Sequence, residues 1–316
     1  MAFDKAQLVK ALRDIGLAPG DSFIVHSSYK SLGEVVGGPE TVIDALIEAV
    51  NAIPSCSGGG STPARTTGLC GNVMFPTFNY TQNIADPYFD PAVVPCRTGI
   101  IPELGRKRPN AVRSLHPTHS CTVIGPDAVE LTRDHMSFRS VGVGSPIDRL
   151  AKMGGKVLLL GVRHTSNTMI HLGEEYAGIP KGSWFEKPTF AEVLMPDGSV
   201  TEHEIDTSTS CSHGFDAVEP PMRAHGDITD LTVHGSAFTV QSSGSWVQGS
   251  GLSGLQAPRT KHHAPSTIHW QLMMAQDVID RVGEIIARQA DVLLCQNPTC
   301  RPCTTARKNL REQGRI

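Results

Sequence analysis

Residues 157–176, VLLLGVRHTSNTMIHLGEEY, pass from an unbroken apolar run to a polar hook, then to a histidine with two acids behind it. His171 and Glu174 stand three residues apart, so a helix starting near Asn167 puts both on one face. A carboxylate beside an imidazole holds its tautomer and steadies the imidazolium formed when the ring accepts a proton. That is general-base chemistry, suited to deprotonating an attacking nucleophile. Asn167 and Thr168 suit the N-terminal cap of such a helix. Taken alone, a histidine near a strand end is commonly structural, and the spacing leaves both readings open.

A second stretch, HSSYKSLGEVVGG at 26–38, has chemistry suited to an anion. Ser27, Ser28 and Ser31 offer hydroxyls, Lys30 a charge, and Gly33, Gly37 and Gly38 allow close backbone approach. It is neither a Walker loop nor a dinucleotide fingerprint, so phosphate binding and an ordinary polar turn both stay open. LHPTHS adds His116 and His119, with Arg113 upstream. A third metal ligand is not local, so these rings are expected to pack or to position a ligand. Cys121 lies inside the apolar run CTVIG and is expected to be an inert buried thiol.

The cysteines need separate treatment. Cys56, Cys70, Cys96, Cys121 and Cys211 are scattered, as reduced thiols usually are in a cytosolic chain. Cys295, Cys300 and Cys303 form C-x4-C-x2-C, a spacing that can hold a metal. A fourth ligand would have to come from elsewhere, Cys211 or His213. Free thiols on a C-terminal helix-turn, with no metal, are the expected state.

These groups need elements to position them. Leu8, Leu12 and Ile15 have helical spacing, and Pro19-Gly20 stops that helix. SFIVHSS is a short buried strand, and Pro39 opens a second helix through Ala49. NVMFPTF and CTVIG read as strands; PELGRKRPN, a segment from Pro126, and SPIDRLAKMGG read as helices. VLLLGV is the expected central strand, since an unbroken apolar run implies burial on both faces. AEVLMPDGSVTEHEI reads as a hairpin turning at Pro-Asp-Gly, and DVIDRVGEIIARQADVLL as a long helix with one apolar face. Early strand–helix alternation with a late hairpin gives an α/β class: a single domain with a central mixed sheet flanked by helices. The site would lie at the carboxyl end of the central strand, where open α/β sheets place ligands.

A length of 316 residues allows an ample core, and a formal charge of −3 spread along the chain argues against nucleic-acid or membrane-surface partners. The apolar runs are far short of a bilayer span. The charged, amphipathic N-terminus MAFDKAQLVKALRDIG lacks the apolar core of a secretory signal, so a cytoplasmic location is expected. Oligomeric state is left open. Residues 54–70 are low-complexity and residues 245–276 show no sustained period, so neither is expected to supply core elements.

VHSSYKSLGEVVGGPETVIDAL, VMFPTFNY, YFDPA, RTGIIPE, RSLHPTHSCTVIG, GVGSPIDRLAKMGGKVLLLGV and SNTMIHLGEEYA occur together and in order. In this the chain resembles the aminoglycoside 3-N-acetyltransferases, the antibiotic N-acetyltransferase family, from about residue 5 to 244 and again from Asp277. The resemblance implies an antibiotic N-acetyltransferase-like fold over residues 1–316, interrupted by low-complexity insertions at 54–70 and 245–276. It implies direct transfer of an acetyl group from acetyl-CoA, as co-substrate, to a small-molecule amine, the 3-amino group of 2-deoxystreptamine being the reference. His171 falls on the family's catalytic base and Glu174 on the acid beside it. Ser27, Ser28, Lys30, Ser31, Gly33, Val36, Gly37 and Gly38 fall on the coenzyme-binding loop, with Arg113 and Ser120 as further coenzyme contacts. Thr77, Asp90, Asn167, Glu175 and Asp216 are the expected substrate contacts. The hook VRHTSNT departs from the family, with Arg163 and Thr165 in place of Gly and Asp. Losing an acid and gaining a base there disfavours a highly cationic substrate. Another xenobiotic or secondary-metabolite amine is therefore the alternative acceptor, and a non-catalytic coenzyme A-binding protein the alternative class.

Overall fold

The apolar run becomes strand β6 (Lys156–Leu160), in the interior of an eight-stranded sheet. A computed structural model describes residues 2–52, 70–79, 88–137, 139–180, 182, 189–205, 210–234, 237–242 and 268–316. Strands β1 (Ser22–Ser27) and β2 (Asn72–Pro76) run parallel in the order β6, β1, β2. Antiparallel strands extend both edges. Beside β2 lie β5 (Cys121–Ile124) and then β4 (Val112–Arg113). Beside β6 lie β11 (Ile268–Met274), β9 (Thr229–His234) and β10 (Ala237–Ser242). A small sheet joins β3 (Tyr88–Phe89) to the hairpin β7 (Phe190–Leu194) and β8 (Val200–Glu204). The mixed α/β architecture matches the expectation.

Alternation along the strands divides the core into two layers. Val157 and Leu159 join one apolar cluster and Leu158 and Leu160 the other, so β6 is buried on both faces. Helices α1 (Lys5–Asp14), α2 (Pro39–Ala49) and α3 (Ile100–Gly105) cover one face. Asp4 and Gln7 close a reciprocal capping box on α1, each side chain accepting from the other's backbone N–H. The other face carries α4 (Ala128–Thr132), α5 (Pro146–Lys152), α6 (Met169–Tyr176), α7 (Glu219–His225), α8 (Ala275–Arg288) and α9 (Arg301–Glu312). Helix α6 packs against α8 through Gly173. A Cβ on Gly173 would come within 2.7 Å of Val282, so only glycine permits this approach.

Two expectations are corrected. Residues 245–276 were expected to hold no core element, yet β11 at 268–274 pairs with both β6 and β9. Its pattern is disguised because Gln271, facing the core, is satisfied by Glu219 and Asp230 at 3.1 and 3.3 Å. The remainder of that segment, and of 54–70, lies outside the described residues apart from Cys70. Cys70 is disulfide-bonded rather than reduced, a pairing set by spatial approach that sequence spacing does not reveal. No helix among the described residues is long and apolar enough to cross a membrane.

Candidate active site

A cavity of ≈ 170 Å³ opens at the carboxyl ends of β1, β2 and β6, where the parallel strands deliver their following loops. Its wall includes His26 and Ser27 from β1, Pro76 and Phe78 from β2 and its sequel, and Thr165 to Thr168 plus His171 from the hook and α6. The hook makes a short 3-10 turn at His164–Ser166 before α6 begins. Asn167, just before the N-cap position of α6, braces the helix start, its Oδ1 accepting from the Met169 N–H at 3.2 Å. Thr168 does not cap; its hydroxyl lies 3.2 Å from His26 Nε2.

One turn into α6, His171 Nδ1 sits 2.9 Å from Glu174 Oε2. Glu174 is fully buried, and Ser210 Oγ lies 2.7 and 2.9 Å from its two oxygens, so the hydroxyl donates to the carboxylate. With the carboxylate accepting from Nδ1–H, the ring's free lone pair is on Nε2. Phe215 packs edge-on against the ring at 4.6 Å and also lines the cavity. This arrangement can take a proton from a nucleophile in the cavity.

The other histidines near the cavity are built differently. Burial holds His26 down at about 3. Burial also brings His119 to about 3, with nearby His171 and His135 adding to it. Both rings are therefore neutral at ordinary pH. His116 is a packing residue, its Nδ1 accepting from the Thr118 and His119 N–H groups at 3.3 and 3.1 Å. Cys121 is fully buried and pushed up to about 12, as expected of an inert thiol.

The glycine loop follows β1 directly. Gly33, Gly37 and Gly38 all take positive φ, and Pro39, which has no N–H to satisfy, then starts α2 without a side-chain cap. Ser27 Oγ is buried in the cavity wall without a partner among the described residues. Ser31 Oγ and Ser28 Oγ bond each other at 2.9 Å, while Lys30, Gly33, Val36 and Gly37 face solvent.

Other expected contacts lie elsewhere. Thr77, Arg113 and Ser120 form one hydrogen-bonded cluster outside the cavity lining: Arg113 Nε donates to Ser120 Oγ at 2.9 Å and Nη2 to the Thr77 carbonyl at 3.0 Å. The same guanidinium stacks on Phe89, its charged carbon 5.0 Å from the ring centroid. Asp90 caps the turn at Ala92 N–H. Glu175 points away, its carboxylate held by Arg139 at 3.2 Å and by Val143 N–H at 3.3 Å. Asp216 is paired with Arg163 at 3.0 Å. Of the expected substrate residues, only Asn167 lines the cavity. Sequence reasoning passed over Ser210, Ser212, Phe215, His26 and Thr98 as site residues. Ser210 lies 36 positions from Glu174, too far for spacing to suggest contact.

The family model described as aminoglycoside 3-N-acetyltransferase matches residues 24–248. Aminoglycoside N(3)-acetyltransferase III of Salmonella sp is 36% identical over 211 residues, covering 64% of this chain and 71% of that protein. The fold is similar to a variant of aminoglycoside acetyltransferase AAC(3)-IVa in complex with a gentamicin, with TM-score 0.70, 24% identity and 98% of each chain covered. It is also similar to AAC-IIIb in binary complex with CoASH, with TM-score 0.66, 22% identity, and 94% of this chain and 100% of that chain covered. At these identities the structural likeness bears on the fold alone.

Proposed function

The chain belongs to the aminoglycoside 3-N-acetyltransferase family and is an acyltransferase of that type, and on that premise we propose that His171 is the general base for transfer from acetyl-CoA to an amine. The observation that carries this reading is the His171–Glu174 contact of 2.9 Å on the cavity wall, with Ser210 behind the carboxylate. Acetyl-CoA would supply the thioester carbonyl carbon that the amine attacks. The residues present fit such a co-substrate: Ser27 offers an unpartnered buried hydroxyl on the cavity wall, and the loop beyond it turns on the exposed glycines Gly33 and Gly37, where no side chain blocks close approach. A neighbour of the same fold is described with CoASH bound.

The acceptor nitrogen forms a C–N bond as His171 Nε2 takes its proton. Glu174 stabilises the imidazolium by holding Nδ1–H, and Ser210 keeps the carboxylate in place. The carbon–sulfur bond breaks, and His171 returns the proton to the departing thiolate, giving the N-acetylated amine and the free thiol. Asn167 fixes the start of α6 and so the height of His171 in the cavity.

The test is thiol release from acetyl-CoA in the presence of aminoglycosides. Wild type turns over, and His171→Ala loses about 10²–10⁴-fold in kcat. Equal turnover by both proteins would overturn the role of His171. A second acceptor reading has its own support: Arg163 neutralises Asp216, and Arg139 occupies Glu175. Fewer free acids favour an amine of lower charge, so the assay includes monoamines and diamines, ranked by kcat/KM.

A further inference from the structure

We propose that Cys211, Cys295, Cys300 and Cys303 bind one structural zinc ion. These four sulfurs, drawn from three parts of the chain, lie within 4.8 Å of one another. Cys211 Sγ and Cys303 Sγ are 3.5 Å apart, and none of the four is in a disulfide. Tetrahedral zinc with bonds of about 2.3 Å holds its sulfurs roughly 3.8 Å apart, so small shifts suffice to close the site. Three of the thiols are buried and Cys300 is half-buried. The structure supplies the fourth ligand that C-x4-C-x2-C lacks, replacing the expected free thiols with a complete S4 set. A disulfide would account for only two of these sulfurs.

The local backbone is arranged around the cluster. Cys211 immediately precedes the 3-10 segment Ser212–Val218, Cys300 is the residue before α9, and Cys303 is in its first turn. Arg307 holds the intervening loop, donating to the Cys295 carbonyl at 3.1 Å while paired with Asp291 at 3.3 Å. His213 Nδ1 lies 3.4 Å from Cys211 Sγ, as an outer partner that orients a ligand would. Four protein ligands leave no open position, so the role is structural. Zinc binding displaces the thiol protons to solvent and ties the C-terminal helix to the 210–218 segment. That segment carries Ser210, which bonds Glu174, and Phe215, which packs on His171.

The experiment is elemental analysis of the full chain purified without added metal or chelator, expected to give one zinc per chain. A mercurial releases that zinc to a chromophoric chelator, and cobalt exchanged into the site gives the absorption of a tetrahedral tetrathiolate. Cys300→Ser, at the least buried ligand, loses the zinc, while Cys96→Ser, outside the cluster, keeps it. Stripping the metal lowers the Tm of wild type and leaves that of Cys300→Ser unchanged. Protein that holds no zinc even after incubation with Zn²⁺, protein that holds iron instead, or a Cys211–Cys303 disulfide found by mass spectrometry would each overturn the assignment. Should Cys300→Ser fail to fold, wild-type stoichiometry and the cobalt spectrum decide. These readouts do not depend on turnover, so their failure is separable from that of the acetyltransfer reading.

Discussion

His171 and the group formed by His26, His116, His119 and His135 crowd the same part of the molecule, yet they are built for opposite ends. The group is sunk among hydroxyls and backbone. His135 donates from Nε2 to the Ser140 carbonyl at 3.1 Å and accepts from the Ser114 hydroxyl at 2.8 Å. Burial drives His26, His119 and His135 to about 3, and His116 is well below its ordinary range. His171 is nearly as buried but has a carboxylate 2.9 Å behind it and a cavity in front. Burial without a charged partner disfavours a protonated imidazole, as in His26 and His135. The carboxylate, rather than the depth, is what sets His171 apart from the other four rings.

The sharpest way to break this contrast is Glu174→Gln, which keeps shape and removes charge. It should lower kcat by about 10²-fold with little change in KM, measured by thiol release. An unchanged kcat would mean that the carboxylate is packing.

The neutral group predicts acid sensitivity. Each ring at about 3 in the folded protein has an ordinary value of 6.5 when unfolded, so between these limits the unfolded chain binds more protons. Stability is fully present above about pH 6.5 and declines as pH falls toward 3, by up to about 1.4 kcal/mol per pH unit for each ring. Denaturant titrations from pH 7 to 4 measure the slope, and His135→Gln should make it shallower. A slope indifferent to that change would remove the histidines from the account.

Ser210→Ala takes one donor from the buried carboxylate. A hydrogen bond to a charged group contributes about 1.5–3 kcal/mol, and kcat should fall roughly 10-fold while KM holds. Smallest is Arg163→Gly. Freeing Asp216 from an exposed pair worth about 0.2–1 kcal/mol should lower KM for a polycationic acceptor by at most about five-fold. A KM that rises instead would show Arg163 itself contacting the acceptor.

Much of this was open to reading along the chain, because its causes are local. Three-residue spacing on a helix is enough to bring His171 to Glu174. Pro39 after two glycines marks the start of α2, and the apolar run of β6 announces its own burial. The ordered motifs carried the family on residues alone.

What needed the folded molecule was contact between distant segments. Ser210 reaches Glu174, and Cys211 meets Cys295, Cys300 and Cys303, only once α8 and α9 pack onto the sheet. Acids such as Glu175 and Asp216 look available for a cationic ligand until Arg139 and Arg163 are seen to occupy them. Strand β11 was hidden because Gln271 breaks its apolar pattern while Glu219 and Asp230 satisfy that side chain. Helical and strand periods are imposed by the backbone of a few residues and so are written in sequence. Which remote side chain neutralises a charge or completes a ligand set depends on packing between layers, and the three-dimensional arrangement alone decided it.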